Sequence, residues 1–125
     1  MQRDVLDKLD DRSVRAYVVW VPMNRGMERE VPTATKEIWD PRARHYWDGE
    51  GQLIAGYRDV LGGFNEPVWD TYILYGRDAK WDGDRPPAPA HWMHQLGSSR
   101  KPRVKGVYWD PPAFLEQARS LAATR

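Results

Sequence analysis

The hydrophobic positions along this chain follow two spacings, one typical of helices and one typical of strands. Near its start, Val5, Leu6 and Leu9 stand among charged residues at helical spacing, which predicts the last turns of an amphipathic helix. Residues 14–21 then form a mostly apolar run rich in β-branched and aromatic side chains, and Pro22 ends it. Such a run predicts a buried, central strand.

The middle of the chain repeats this alternation. Residues 24–26 predict a turn, and residues 32–39 fit a short helix that an Asp-Pro pair ends. Residues 43–47 alternate in polarity and predict a short edge strand. Residues 51–61 carry apolar side chains at positions i, i+1, i+4, i+7 and i+8, and two glycines follow. This stripe predicts a helix packed on a sheet.

The second half of the chain adds a predicted hairpin. Residues 71–75 predict an apolar strand, and residues 79–81 predict a strand that returns beside it. Residues 84–89 hold three of the prolines and should be irregular. Residues 91–96 fit one helical turn, and residues 98–106 predict a basic loop.

The C-terminal segment predicts an amphipathic helix. Asp110 is placed as its N-cap and Pro111 as its first residue, and an apolar stripe follows. Helices and strands therefore alternate along residues 1–125, which we interpret as a single α/β domain with a mixed sheet.

Charge narrows the class of partner. The 19 basic residues nearly cancel the 18 acidic ones, for a net charge of +1, which argues against a dedicated nucleic-acid-binding protein.

No apolar run is long enough for a membrane span, and no signal peptide is evident. We expect a cytoplasmic protein, or a periplasmic or exported one if the chain is a fragment of a longer precursor.

The composition is rich in aromatic residues and contains no cysteine. Seven Trp and six Tyr indicate a core that relies on aromatic burial. There is no cysteine, which excludes a disulfide framework, thiolate metal sites and a cysteine nucleophile.

Five of the seven tryptophans directly precede an aspartate. The spacing of these pairs has no fixed period, so a propeller repeat is excluded. We interpret each tryptophan as the anchor at the end of an element, and each aspartate as the cap of the turn or helix that follows. The pairs begin at residues 39, 47, 69, 81 and 109.

His91 and His94 form the only metal-binding motif that the sequence suggests. On a helical turn both rings would lie on one face. A zinc site needs further ligands, and the sequence offers only His45 and scattered carboxylates, so no metal or other cofactor is predicted. An aromatic surface that includes Trp92 explains the segment more simply, and the basic residues at 100–105 fit a solvated loop better than a phosphate site.

The stretch from Tyr17 to Gly83 resembles a known family. The runs YVVWVPM, HYWDG and WDTYILYG resemble the second half of a thioredoxin-fold domain, in the branch of bacterial thiol:disulfide oxidoreductases and peroxiredoxins. The resemblance covers residues 4–96. It implies an incomplete thioredoxin-like α/β fold, with a mixed sheet of three to four strands and helices on both faces.

The resemblance also marks what is missing. Such domains carry a strand and a Cys-x-x-Cys helix upstream, and residues 5–10 match the tail of that helix. Thiol–disulfide exchange needs a thiolate, so the absence of cysteine predicts no redox activity. The family's cis-proline falls at Trp69 or Asp70, with Pro67 nearby. These three residues, together with Trp92, are the predicted binding residues.

Two functions follow from the resemblance. The first is a cysteine-free binding or scaffolding module that is not an enzyme, and the alternative is one half of a thiol:disulfide oxidoreductase that another chain completes. Strands 17–21 and 71–75 would flank the missing strand, so they must pair directly, leave a gap, or accept a strand from a second molecule. We expect direct pairing, or a homodimer or partner protein that supplies a strand.

Overall fold

A computed structural model describes residues 1–23 and 26–124, and within them three α-helices accompany two separate β-sheets. The mixed α/β class is confirmed. Of the predicted turn at residues 24–26, the first two residues lie outside the described part. The elements are β1 (Ala16–Trp20), α1 (Val31–Ala34), β2 (Ala43–Trp47), α2 (Gln52–Leu61), β3 (Thr71–Leu74), β4 (His91–His94), β5 (Val107–Tyr108) and α3 (Pro111–Ala123). Short 3-10 turns occupy Leu6–Lys8, Glu28–Glu30 and Thr35–Glu37.

The first sheet contains β1 and β2, which pair in parallel with Val18 opposite His45. The short helix α1 and its flanking 3-10 turns make the connection, as predicted for residues 32–39. The prediction of a buried, central β1 is wrong. Tyr17 is 68% exposed, and no third strand joins this sheet within the described residues.

The second sheet has β4 at its centre, antiparallel to β3 and parallel to β5. The predicted hairpin is wrong because residues 79–81 form no strand and β3 pairs with β4 instead. The intervening prolines lack N–H groups and cannot extend a ladder, so pairing begins only where Ala90 N donates to Leu74 O at 2.9 Å. The helical turn predicted at residues 91–96 is also wrong, since this pairing makes the segment a strand.

The two sheets do not share a strand. Direct pairing of strands 17–21 and 71–75 is therefore wrong, because β1 pairs with β2 and β3 pairs with β4. The strand partners depend on which segments the chain brings together, and the apolar patterns of β1 and β3 do not specify this.

The core consists of two clusters. One joins the N-terminal segment to α3 and β4, and there Val5 and Leu9 pack with Phe114 and Met93. The segment forms a 3-10 turn where a helix was predicted, although its apolar side chains are buried as expected. The other cluster lies beneath α2 and contains Tyr57, Phe64, Val68, Leu96 and Val104.

Aspartates cap several elements as predicted. Asp48 accepts the N–H groups of Gln52 and Leu53 at the start of α2, at 3.1 and 2.9 Å. Asp110 accepts the N–H of Ala113 at 3.2 Å, which confirms it as the N-cap of α3. The anchoring role of the preceding tryptophans is less general, because Trp39 and Trp81 are 66% and 47% exposed.

A partly buried polar network fixes the start of β2 to the N-terminal segment. The Arg42 guanidinium donates to Asp40 Oδ2 at 2.7 Å and to the carbonyl of Leu6 at 2.8 Å. Asp40 N donates to the Gln2 side chain at 3.0 Å. The bonds to Leu6 and Gln2 join residues that are more than thirty positions apart in the sequence.

No helix in the described part of the chain has the length and apolar character needed to cross a membrane.

Candidate functional site

Two of the predicted binding residues contribute to packing. Trp69 and Trp92 are half-buried against the cluster beneath α2, and the Trp92 ring lies 5.6 Å from that of Phe64. Gly106 packs on the Trp92 indole so closely that a Cβ there would lie 2.4 Å from the ring. Much of the aromatic surface expected at these positions is therefore occupied by the protein itself.

The other two predicted residues, Pro67 and Asp70, are exposed. No cis peptide bond occurs among the described residues, so the family's cis-proline has no equivalent there. Asp70 instead adopts a left-handed φ of 45°, and its carbonyl accepts the N–H of Gln95 at 2.8 Å. Although Asp70 is exposed overall, neighbouring atoms partly desolvate its carboxyl and raise its pKa, and the nearby Arg103 opposes this rise.

The histidine pair does not form the arrangement predicted for metal binding. Because β4 is a strand, His91 and His94 are three residues apart and point to opposite faces. His94 is fully buried, its Nδ1 accepts the N–H of Leu96 at 3.1 Å, and its Nε2 has no hydrogen-bond partner among the residues that the structure describes. Burial lowers the pKa of His94. The residues that the structure describes contain no cluster of three or more metal-ligating side chains.

The basic residues at 100–105 are exposed on a loop, as predicted, although Val104 between them is buried in the cluster beneath α2. Its Arg103 pairs with Glu66 at 2.9 Å, so an acidic side chain stands beside the basic ones. This arrangement fits a solvated loop better than a phosphate site.

Two exposed aromatic residues that stack on each other lie elsewhere, on the first sheet. Tyr17 and Val19 of β1 share one face with Arg44 and Tyr46 of β2, and we call this the tyrosine face. Tyr17 and Tyr46 are 68% and 51% exposed, and their rings stack with centroids 6.4 Å apart. This face therefore offers two adjacent aromatic rings and a cationic side chain to a partner.

The opposite face of the same sheet is held by a hydrogen-bonded aromatic pair. Trp20 Nε1 donates to His45 Nδ1 at 3.0 Å, and the two rings stack nearly parallel. Because His45 Nδ1 accepts, His45 Nε2 carries the proton and donates to the carbonyl of Ile38 at 2.9 Å. The side chains of this face are partly buried, whereas Tyr17, Arg44 and Tyr46 of the tyrosine face are exposed.

The outer edge of β1 adds a second feature to the tyrosine face. Ala16 N donates to Arg42 O at 3.1 Å, and Trp20 O accepts from Asp48 N at 2.9 Å. In this register the backbone N–H and C=O groups of Ala16, Val18 and Trp20 point toward β2. Those of Tyr17 and Val19 therefore point away from it. No strand pairs with this edge within the described residues.

No protein-family model, curated protein or solved structure matches this chain. The geometry of the tyrosine face and of the β1 edge is therefore the basis for interpreting function.

The sequence contains a signal for this site that the predictions above do not use. Alternation along β1 separates Tyr17 and Val19 from Val18 and Trp20, and the same alternation sets Tyr46 on the side of the charged Arg44. The apolar run of β1 was interpreted as buried on both faces, which concealed this separation.

Proposed function

We propose that this chain is a cysteine-free, thioredoxin-like binding module without redox activity, which binds an extended polypeptide segment along β1. The observation that carries the proposal is the coincidence of two features on one strand. Tyr17 and Val19 direct backbone groups outward that pair with no strand within the described residues, and the exposed Tyr17 and Tyr46 rings lie beside them. Strand addition uses both, because backbone bonds give affinity and alternate side chains give specificity.

The order of elements supports the thioredoxin-like part of the proposal. A strand, a helical connection and a parallel strand are followed by α2, whose C-cap is Gly62, and then by the antiparallel strands β3 and β4. The resemblance implies the same order, except that its last two strands form a hairpin, whereas residues 75–90 separate β3 from β4. The division into two sheets departs from the continuous sheet of that fold, and it leaves β1 at an edge.

The chemistry of the site favours a polypeptide. A tyrosine ring is apolar and carries a polar hydroxyl, so it can cover side chains of a bound strand at low entropic cost. Arg44 on the same face can donate hydrogen bonds to carbonyl groups of such a segment. With no thiol in the chain, binding here cannot lead to thiol–disulfide exchange by the chain alone.

The free edge also favours the alternative, in which another chain supplies a strand with Cys-x-x-Cys and so completes a thiol:disulfide oxidoreductase. Both functions use the same edge, and insulin reduction separates them. A Cys-x-x-Cys chain that binds the β1 edge and gains reductase activity over its own rate would support the alternative. Binding with no such gain supports the module.

The proposal is tested by selecting random peptides on the immobilised protein and mapping the bound ones by NMR. We expect shifts at the amides of Tyr17 and Val19, and loss of binding in a Tyr17→Lys, Val19→Lys variant. Trp39→Ala is the matched control, because Trp39 is as exposed as Tyr17 but lies outside the site. Failure to select any peptide, or peptides that bind the lysine variant equally well, would contradict the proposal.

A further inference from the structure

We infer that the segment bound at the β1 edge is the same edge of a second copy, so that the chain forms a two-fold homodimer through antiparallel β1–β1 pairing. This inference rests on the proposed function and names its partner. It is carried by the self-complementary arrangement of the unpaired groups on Ala16–Trp20.

The register of the dimer follows from which backbone groups are free. The outward-pointing residues are Tyr17 and Val19, so a two-fold axis at Val18 places Tyr17 of one copy opposite Val19 of the other. Each such pair exchanges two N–H···O=C bonds in an antiparallel ladder, and symmetry produces two pairs. The four bonds use every free backbone group of these two residues.

The side chains agree with this register. Tyr17 would lie directly across from Val19 of the second copy on the tyrosine face, and aromatic and β-branched residues form favourable cross-strand pairs. Residues 16–21 contain no charge, so no like charges meet. Arg15 would lie across from Val21, which is uncharged. The strand also lacks the central proline or lysine with which proteins commonly protect an edge.

The outer edge of β2 is a poorer candidate. Pairing there would need the N–H of Ala43, which already donates to Asp40 O at 2.9 Å. Arg44 also places a charge in the middle of that strand. The edge suited to self-pairing is therefore that of β1, and the dimer would have a four-stranded sheet with β2 on each outside.

The size of the contact sets its strength. One pair of five-residue strands and two tyrosines gives an interface at the small end of those seen in specific complexes. We therefore expect a dissociation constant in roughly the micromolar range.

The test is sedimentation equilibrium from about 1 to about 300 µM, a range that brackets this affinity. Two double variants probe the register. Tyr17→Lys with Val19→Lys places like charges across the interface and should weaken the dimer at least about tenfold. Tyr17→Lys with Val19→Glu places opposite charges there, and it should retain dimerisation and become more sensitive to salt. Circular dichroism confirms that both variants fold.

Amide hydrogen exchange provides an independent measurement. Protection of Tyr17 and Val19 should rise with protein concentration, while that of Val18, which bonds to β2, should not change. A wild-type chain that is monomeric throughout, or a dimer that both variants preserve equally, would overturn the inference. If that monomer still binds selected peptides at Tyr17 and Val19, the proposed function stands and the homodimer alone is wrong. If it binds none, both are wrong.

Discussion

The Asp40 carboxylate is the best place to test how the first sheet is held to the rest of the protein. Its oxygens accept from the Arg42 backbone N–H at 2.9 Å and from the guanidinium at 2.9 and 2.7 Å. Arg42 in turn donates to carbonyl groups of the N-terminal segment. Asp40→Asn keeps the shape of the side chain but removes its charge, and it leaves a partly buried guanidinium without its counterion.

The magnitude follows from the pKa of Asp40. Hydrogen bonds from the Arg42 side chain lower this pKa from 3.8 to about 2. At about 1.36 kcal/mol per pKa unit, the charged form is favoured in the folded state by roughly 2.5 kcal/mol. The two side chains are 9% and 17% exposed and lie near the surface, so solvent screening reduces the expected loss in Asp40→Asn to about 1–2 kcal/mol.

The pH dependence has a defined sign. Because folding lowers the pKa of Asp40, its stabilisation is fully present above the unfolded value of 3.8 and is lost as pH falls through about 2. Urea unfolding followed by circular dichroism should show this loss in the wild type and its absence in Asp40→Asn. Asp82→Asn, at an exposed position, is the control. Equal stability of wild type and Asp40→Asn at pH 7, with the same acid dependence, would refute the reasoning.

Two further predictions concern the second sheet. Gly106→Ala places a Cβ 2.4 Å from the Trp92 ring at a φ of 106°, and should lower the free energy of unfolding by about 2–4 kcal/mol. Gly62 also has a positive φ, but a Cβ there would meet open space. Gly62→Ala should therefore lower the free energy of unfolding by only about 1 kcal/mol, as measured by thermal unfolding. Equal losses in the two variants would contradict the packing argument. Burial lowers the pKa of His94, so wild-type stability should fall as pH drops below 6.5. In His94→Leu this acid sensitivity should diminish. The prediction is contradicted if the urea midpoint of the variant changes between pH 7 and pH 5 by as much as that of the wild type.

Local order was largely readable from the sequence. The stripe of residues 51–61 and the Asp-Pro start of α3 predicted both long helices, because an amphipathic face and an N-cap are local properties. The alternation at residues 43–47 likewise predicted β2. The absence of cysteine determined one chemical fact outright, since no arrangement of this chain can supply a thiolate.

Strand partners were decided only by the tertiary structure. An apolar run at residues 14–21 specifies a strand, but whether that strand is central or at an edge depends on which distant segment docks beside it. The same holds for His91 and His94. Their spacing would place both side chains on one face of a helix, but pairing with β3 makes the segment a strand and puts them on opposite faces. The candidate site is an edge and an exposed face. Both exist only once the partners of β1 are settled, so the sequence supplied Tyr17 and Tyr46 and the tertiary structure placed them together at the surface.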